Sequence, residues 1–189
     1  MVDTPEVIKY VVPKEYQRDL PVAKKKEEVV DDLVLYPDPV LRDVAEPVRD
    51  PLAAYHHVIL KRMNRVLKET KGLGLAAPQI GITKRIIIVE TDQGLITLFN
   101  PEIVDRSGMQ IDTESCLSLP GIEVSIKRAS KVTVRGFDFG RKEEVEIVTS
   151  DELTAACFQH ELDHLNGVLI LDYASRQQRR AYKRKLNKK

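Results

Sequence analysis

Two histidines stand four residues apart in His160-Glu161-Leu162-Asp163-His164, with a glutamate directly after the first. On an α-helix this spacing puts both imidazoles on one face, one turn apart, where both can reach a single metal ion. A carboxylate at Glu161 is placed to take a proton from water activated at the metal rather than to bind the metal. The residues therefore point to hydrolysis at a metal. The bland alternative is a core helix in which two of the chain's four histidines happen to fall at this spacing.

A catalytic zinc or iron site needs three protein ligands and an open position. Common metalloproteases with this motif take the third ligand from downstream, but here no histidine follows His164 and the only carboxylate that does is Asp172. Cys116 is the candidate instead. It lies in Glu114-Ser115-Cys116-Leu117-Ser118, which ends a β region and precedes a Pro120-Gly121 turn, and a thiolate binds divalent metals strongly. A buried, inert thiol is the competing fate of any single cysteine. A third stretch, Gly72-Leu73-Gly74-Leu75-Ala76-Ala77-Pro78-Gln79, followed by Ile80-Gly81, has small residues that let backbone approach a ligand. The Gln79 amide can donate to an oxyanion. Alone, the stretch would serve equally as a plain turn, and it lacks the lysine and hydroxyl residue of a phosphate loop.

These residues need elements to hold them. The helix bearing both histidines is expected to begin near Thr149, three residues before Glu152 in a capping box, and to stop at Gly167. Leu153 and Cys157 share its ligand face, which makes that face continuous with the buried one. An earlier helix is expected from Asp50-Pro51, with Leu52, Tyr55, Ile59, Met63, Val66 and Thr70 recurring at three- and four-residue spacing and Gly72 as its stop. His56 and His57 fall on that helix, away from the motif, and are expected at the surface. Strands over 85–90 and 95–99 flank an Asp92-Gln93-Gly94 turn, and strands over 131–137 and 143–148 flank a second turn. The expected fold is α+β: antiparallel β-sheets packed around a central HExxH helix, with a C-terminal helix.

The 189 residues, 42% of them hydrophobic, suffice for one core without disulfides. A formal net charge of +1 does not suggest a chain that coats nucleic acid or anionic membrane, so any such partner must be met by a local patch. Two cysteines make no disulfide framework, so neither is expected to have a disulfide partner and a reducing compartment is expected. The N-terminus lacks a basic stretch followed by an apolar one, and no apolar run approaches the roughly 18 residues of a bilayer span, so a soluble, cytoplasmic protein without membrane contact is expected. Residues 1–32, with a strand-like run at 8–12 and charge blocks at 24–28 and 31–32, are expected to form an extension. Residues 33–175 form the catalytic domain, and 176–189 a basic C-terminal helix without an acidic residue. That last segment is either a solvated face or a surface for ribosomal RNA.

In this order the three stretches resemble the signatures of peptide deformylases: GxGxAAxQ, EGCxS and QHExDH. The resemblance runs from Leu33-Val34-Leu35-Tyr36-Pro37-Asp38-Pro39 to the C-terminal helix. It implies that Cys116, His160 and His164 bind one divalent metal, Fe(II) first, with Zn(II), Ni(II) or Co(II) able to replace it. Glu161 would be general base and then acid, and the Leu117 N–H and Gln79 amide would hold the oxyanion. Leu73 and Gly74 would pair with an extended substrate in the manner of an added strand, Ser115 would adjoin a further backbone contact, and Cys157 would help line the methionine pocket. Asp163 and Arg128 are expected to support the ligating histidines, whose second ring nitrogen needs a partner. The implied activity is removal of the formyl group from N-formylmethionine of nascent polypeptides, releasing formate; a ribosome-docking role for the basic tail would fit such an enzyme, with a solvated face as the alternative. Two alternatives are a weak or re-purposed deformylase-like metalloprotein and an HExxH metallopeptidase, the latter disfavoured by the cysteine and Gln79 stretches. Ser115 stands where the family usually has glycine. If that position required a positive φ, serine would be strained there.

Overall fold

The computed structural model describes residues 32–186. Strands β1 (Gly74–Ala76), β2 (Ile86–Thr91) and β3 (Gly94–Ser107) pair in order and continue into β6 (Lys131–Asp138) and β7 (Glu143–Thr149) as one antiparallel sheet. Strands β4 (Gln110–Ser115) and β5 (Glu123–Arg128) form a separate antiparallel pair. Helix α1 (His56–Thr70) lies on one face of the large sheet and α2 (Glu152–Leu165) on the other. The short α3 (Ile170–Tyr173) and the basic α4 (Arg176–Leu186) finish the described chain.

Strand β2 shows why this layering follows from the residues. Its first four, Ile-Ile-Ile-Val, are buried without alternation, as a strand covered on both sides must be. Ile86 and Ile88 join Ile59, Met63 and Val66 of α1, whereas Ile87 and Val89 join Phe158, Leu162 and Leu165 of α2. A third cluster packs Val124 and Ile126 of β5 against Leu41, Cys116, Leu169 and Tyr182. The metal-motif helix thus sits between the large sheet and the β4–β5 hairpin, in the α+β arrangement expected from the sequence.

The differences from expectation are local and have physical causes. Helix α1 starts at His56, not at Asp50-Pro51. Asp50 instead accepts from the Leu52 N–H at 3.1 Å and, through its carbonyl, from the Ala53 N–H at 3.2 Å, making a turn that leaves Leu52 53% exposed. An Asp-Pro pair opens turns as readily as helices. The helix closes on Lys71, in the left-handed region at φ 55°, one residue before the expected Gly72. His56 is buried rather than at the surface, its Nδ1 3.0 Å from the Pro51 carbonyl and its ring 4.8 Å from that of Phe99, while His57 is exposed. Successive helix positions point about 100° apart, so two adjacent histidines seldom share an environment. The cap of α2 is Asp151, which accepts from the Thr154 N–H at 2.8 Å; Thr149 accepts from the Asp151 N–H and stands outside the helix. Strand β3 runs past Phe99 to Ser107 through a register shift, with Asn100 at φ 52° and its side chain bonded to both backbone groups of Val48. Asn100-Pro101 reads as a break in sequence, yet a bulge accommodates it.

The strand-like run at 8–12 and most of the N-terminal charge blocks lie outside the described residues. Asp32 is buried rather than solvated, paired with Arg62 and Arg65 of α1. Among the described residues, no helix is long and apolar enough to cross a membrane.

Candidate metal centre and substrate cleft

Helix α2 brings His160, Glu161 and His164 to one side because Ala155, Phe158, Leu162 and Leu165 commit its opposite side to the sheet. Gln159 fixes its rotation and height: the amide accepts from the Ala129 N–H at 3.0 Å and donates to the Ala129 carbonyl at 2.9 Å. Cys116 leaves the end of β4 directly opposite, and its Sγ lies 3.2 Å from His164 Nε2. The donor atoms of Cys116, His160 and His164 all fall within 4.8 Å of one another, and no other group of three such side chains is so placed among the described residues. Burial pushes His164 well below its usual range, so it presents the neutral, metal-binding imidazole. Soft sulfur and two imidazoles, with no fourth protein ligand among the described residues, suit a catalytic divalent metal.

The second nitrogen of His160 is held by Glu114, whose Oε2 lies 2.8 Å from Nδ1 and leaves Nε2 for the metal. Arg128 forks onto both Glu114 oxygens, at 2.7 and 2.9 Å, and reaches Asp163 Oδ2 at 2.6 Å. The Tyr173 hydroxyl donates to the same Asp163 oxygen at 2.8 Å. Burial alone would raise the Glu114 carboxyl, but its bonds from Arg128 and His160 bring it down to about 2. Asp163 and Arg128 therefore support His160 as expected, but through Glu114. That glutamate's part went unread although it stands two residues before Cys116, as an acceptor within the cysteine stretch itself.

Glu161 is 3% exposed, and its Oε2 has no hydrogen-bond partner among the described residues. Burial pushes its carboxyl up to about 7, with His160 opposing and Glu114 adding. A base poised there matches proton transfer near neutral pH. Gln79 is buried and locked, accepting from the Ala76 N–H at 2.8 Å while its amide nitrogen stands 3.8 Å from Cys116 Sγ and 3.4 Å from Ser118 Oγ. A strap from the start of the described chain joins the two loops: the Val34 N–H donates to the Gln79 carbonyl and the Tyr36 N–H to the Ser118 carbonyl, at 2.8 and 2.9 Å.

A cleft of about 550 Å³ opens onto these groups, with Gly74, Ser115, Leu117, Leu153 and Cys157 among its walls. Leu153 is 53% exposed in this cleft, so the ligand face of α2 continues into the cleft rather than into the core. A Cβ at Gly74 would lie 2.6 Å from both Cys157 Sγ and Glu161 Oε1, so only glycine lets β1 come this close to α2. Burial, then Glu161 and Glu114, pushes the Cys157 thiol well up, which keeps it an uncharged wall. The Leu73 carbonyl accepts from the Glu90 N–H at 2.8 Å. By antiparallel alternation the N–H and C=O of Gly74 face the other, open edge of β1. Ser115 ends β4 opposite Glu123, and the non-glycine residues with positive φ among those described are Lys71, Asn100 and Lys142. The feared strain at Ser115 is therefore absent, and serine fits the strand.

Three donors beside a buried, unpaired carboxylate at the head of a cleft define a mononuclear metallohydrolase. The chain belongs to the polypeptide deformylase family, which it matches over residues 30–180. A peptide deformylase of Halothermothrix orenii is 47% identical over 137 residues, 71% of this chain and 87% of that one. The crystal structure of a peptide deformylase from Legionella pneumophila superposes with a TM-score of 0.75 at 36% identity, covering 82% of this chain and 92% of that one. That of Ehrlichia chaffeensis, in complex with actinonin, gives 0.77 at 32% identity, covering 83% and 95%.

Proposed function

We propose that the chain removes the formyl group from N-formylmethionine of nascent polypeptides, releasing formate and a free N-terminal methionine. The observation that carries this reading is the convergence of Glu161, the Gln79 amide and the Cys116, His160, His164 donor set at the head of one cleft. Cys116, His160 and His164 would hold the metal, which when bound would polarise the formyl carbonyl and acidify a water. Glu161 accepts the proton of that water at its carboxylate and returns it to the departing amine. The Gln79 amide and the Leu117 N–H receive the oxyanion. The peptide extends along the open edge of β1, against Leu73 and Gly74 and beside Ser115. Its methionine side chain enters the slot walled by Leu153 and Cys157.

Metal-loaded protein should release formate from a formyl-Met-Ala peptide, and anaerobically purified protein should carry iron in preference to zinc, nickel or cobalt by elemental analysis. Absence of formate release would remove the reading. Gln79→Ala should fold and bind metal yet lose about 10² to 10³ in kcat, the typical cost of one oxyanion donor. A wild-type kcat in that variant would take the role away from Gln79.

Catalysis is assigned to residues 33–175, with 1–32 as an extension. The free thiols Cys116 and Cys157 suit the reducing cytoplasm. Helix α4 buries Tyr182 and exposes Arg176, Arg179, Arg180, Lys183, Arg184 and Lys185, and in this reading the basic segment 176–189 docks on ribosomal RNA. Truncation after Ser175 should abolish co-sedimentation with ribosomes at low salt; unchanged co-sedimentation would dispose of the docking role.

A further inference from the structure

Lys71 closes α1 with φ at 55°, a conformation that glycine adopts freely and a side chain pays for, and it also lines the substrate cleft. A non-glycine residue held in that region at the rim of a ligand site directs attention to what its side chain does there. The Lys71 side chain makes no ion pair among the described residues, although it is exposed beside the cleft. On the facing wall, Asp112 is turned back on its own strand and accepts from the Thr113 N–H at 2.7 Å. Gly121 of the cleft lining is met from behind by a second cation, Lys185 of α4, whose Nζ lies 3.5 Å from the Gly121 carbonyl.

The direction of the bound peptide follows from β1. That strand runs toward Gln79 and the metal donors, so an antiparallel peptide with its formyl end at Glu161 runs back past Gly72 toward Lys71. Lys71 lies three residues before Gly74, outside β1 and in the left-handed turn that closes α1, so it stands on the lining of the same cleft at the end away from Gln79. Its exposed side chain therefore borders the path of the peptide beyond the methionine. We propose that Lys71 makes this cleft select formylated peptides with an acidic side chain among the residues that follow the methionine. The inference rests on the deformylase reading.

The test compares two amidated peptides, formyl-Met-Ala-Asp-Asp-Ala and formyl-Met-Ala-Lys-Lys-Ala, on metal-loaded wild type and on Lys71→Glu. In the wild type the acidic peptide should have the higher kcat/KM by roughly two- to tenfold, mostly through KM, and the ratio should shrink toward one at high salt. In Lys71→Glu the ratio should invert. Because each ratio is taken within one preparation, differences in folding and metal content cancel. Hydrolysis of both peptides with the same ratio in wild type and variant, or with no acidic preference in the wild type, overturns the assignment to Lys71 and leaves the deformylase reading intact. No hydrolysis of either peptide by the wild type overturns both.

Discussion

Exchanging Glu161 for glutamine should lower kcat for formate release by about 10² to 10⁴-fold, the usual contribution of a positioned general base, while the protein keeps its metal. The amide matches the carboxylate in shape and cannot accept the proton. Glu161 is not among the three donors, so metal content should be unchanged by elemental analysis. Stability should hold or rise slightly, because the exchange removes a buried carboxyl that its surroundings already push up to about 7. Turnover at the wild-type rate would show that the proton goes elsewhere. Loss of metal together with activity would instead make Glu161 part of the coordination shell.

The second large effect is on stability. Arg128 is 5% exposed and joins two carboxylates, Glu114 at 9% and Asp163 at 22%. Arg128→Met should destabilise the fold by about 3 to 5 kcal/mol, because truncating one partner strands buried charge. In a chain of this size that corresponds to a fall of about 6 to 20 °C in Tm. Metal affinity should drop as well, by about 10 to 100-fold, since Glu114 is what holds His160 in its metal-binding tautomer. An unchanged Tm, measured by calorimetry with excess metal, would mean that the ion pairs contribute nothing net.

The parts of the site that lie close together in sequence were the legible ones. His160, Glu161 and His164 declare themselves because helical spacing alone puts them on one face. Cys116 is ambiguous by itself and became readable only in company with the Gln79 and histidine stretches. Glu114 was missed because its role depends on pairing across β4 and β5, which aims it at Arg128, and Arg128 in turn at Asp163, 35 residues further on. No local pattern encodes that chain of contacts. The same limit explains His56, whose neighbour Phe99 belongs to a strand 43 residues away in sequence. The two-faced burial of β2 was not read, although its unbroken Ile86-Ile87-Ile88-Val89 run carries that signal; which helix covers which face has no local signature.

The wide sequence separation of the metal donors also bears on how the protein folds. His160 and His164 can meet in any isolated turn of helix, but Cys116 lies 48 residues from His164 and reaches it only when the β4–β5 hairpin has docked. An unfolded chain therefore offers an ion two imidazoles at most in proximity, and the native chain three donors. The difference in affinity is free energy stored in the folded state, so metal supply and conformational stability are thermodynamically linked. A cell short of the ion would hold a less stable protein as well as a less active one.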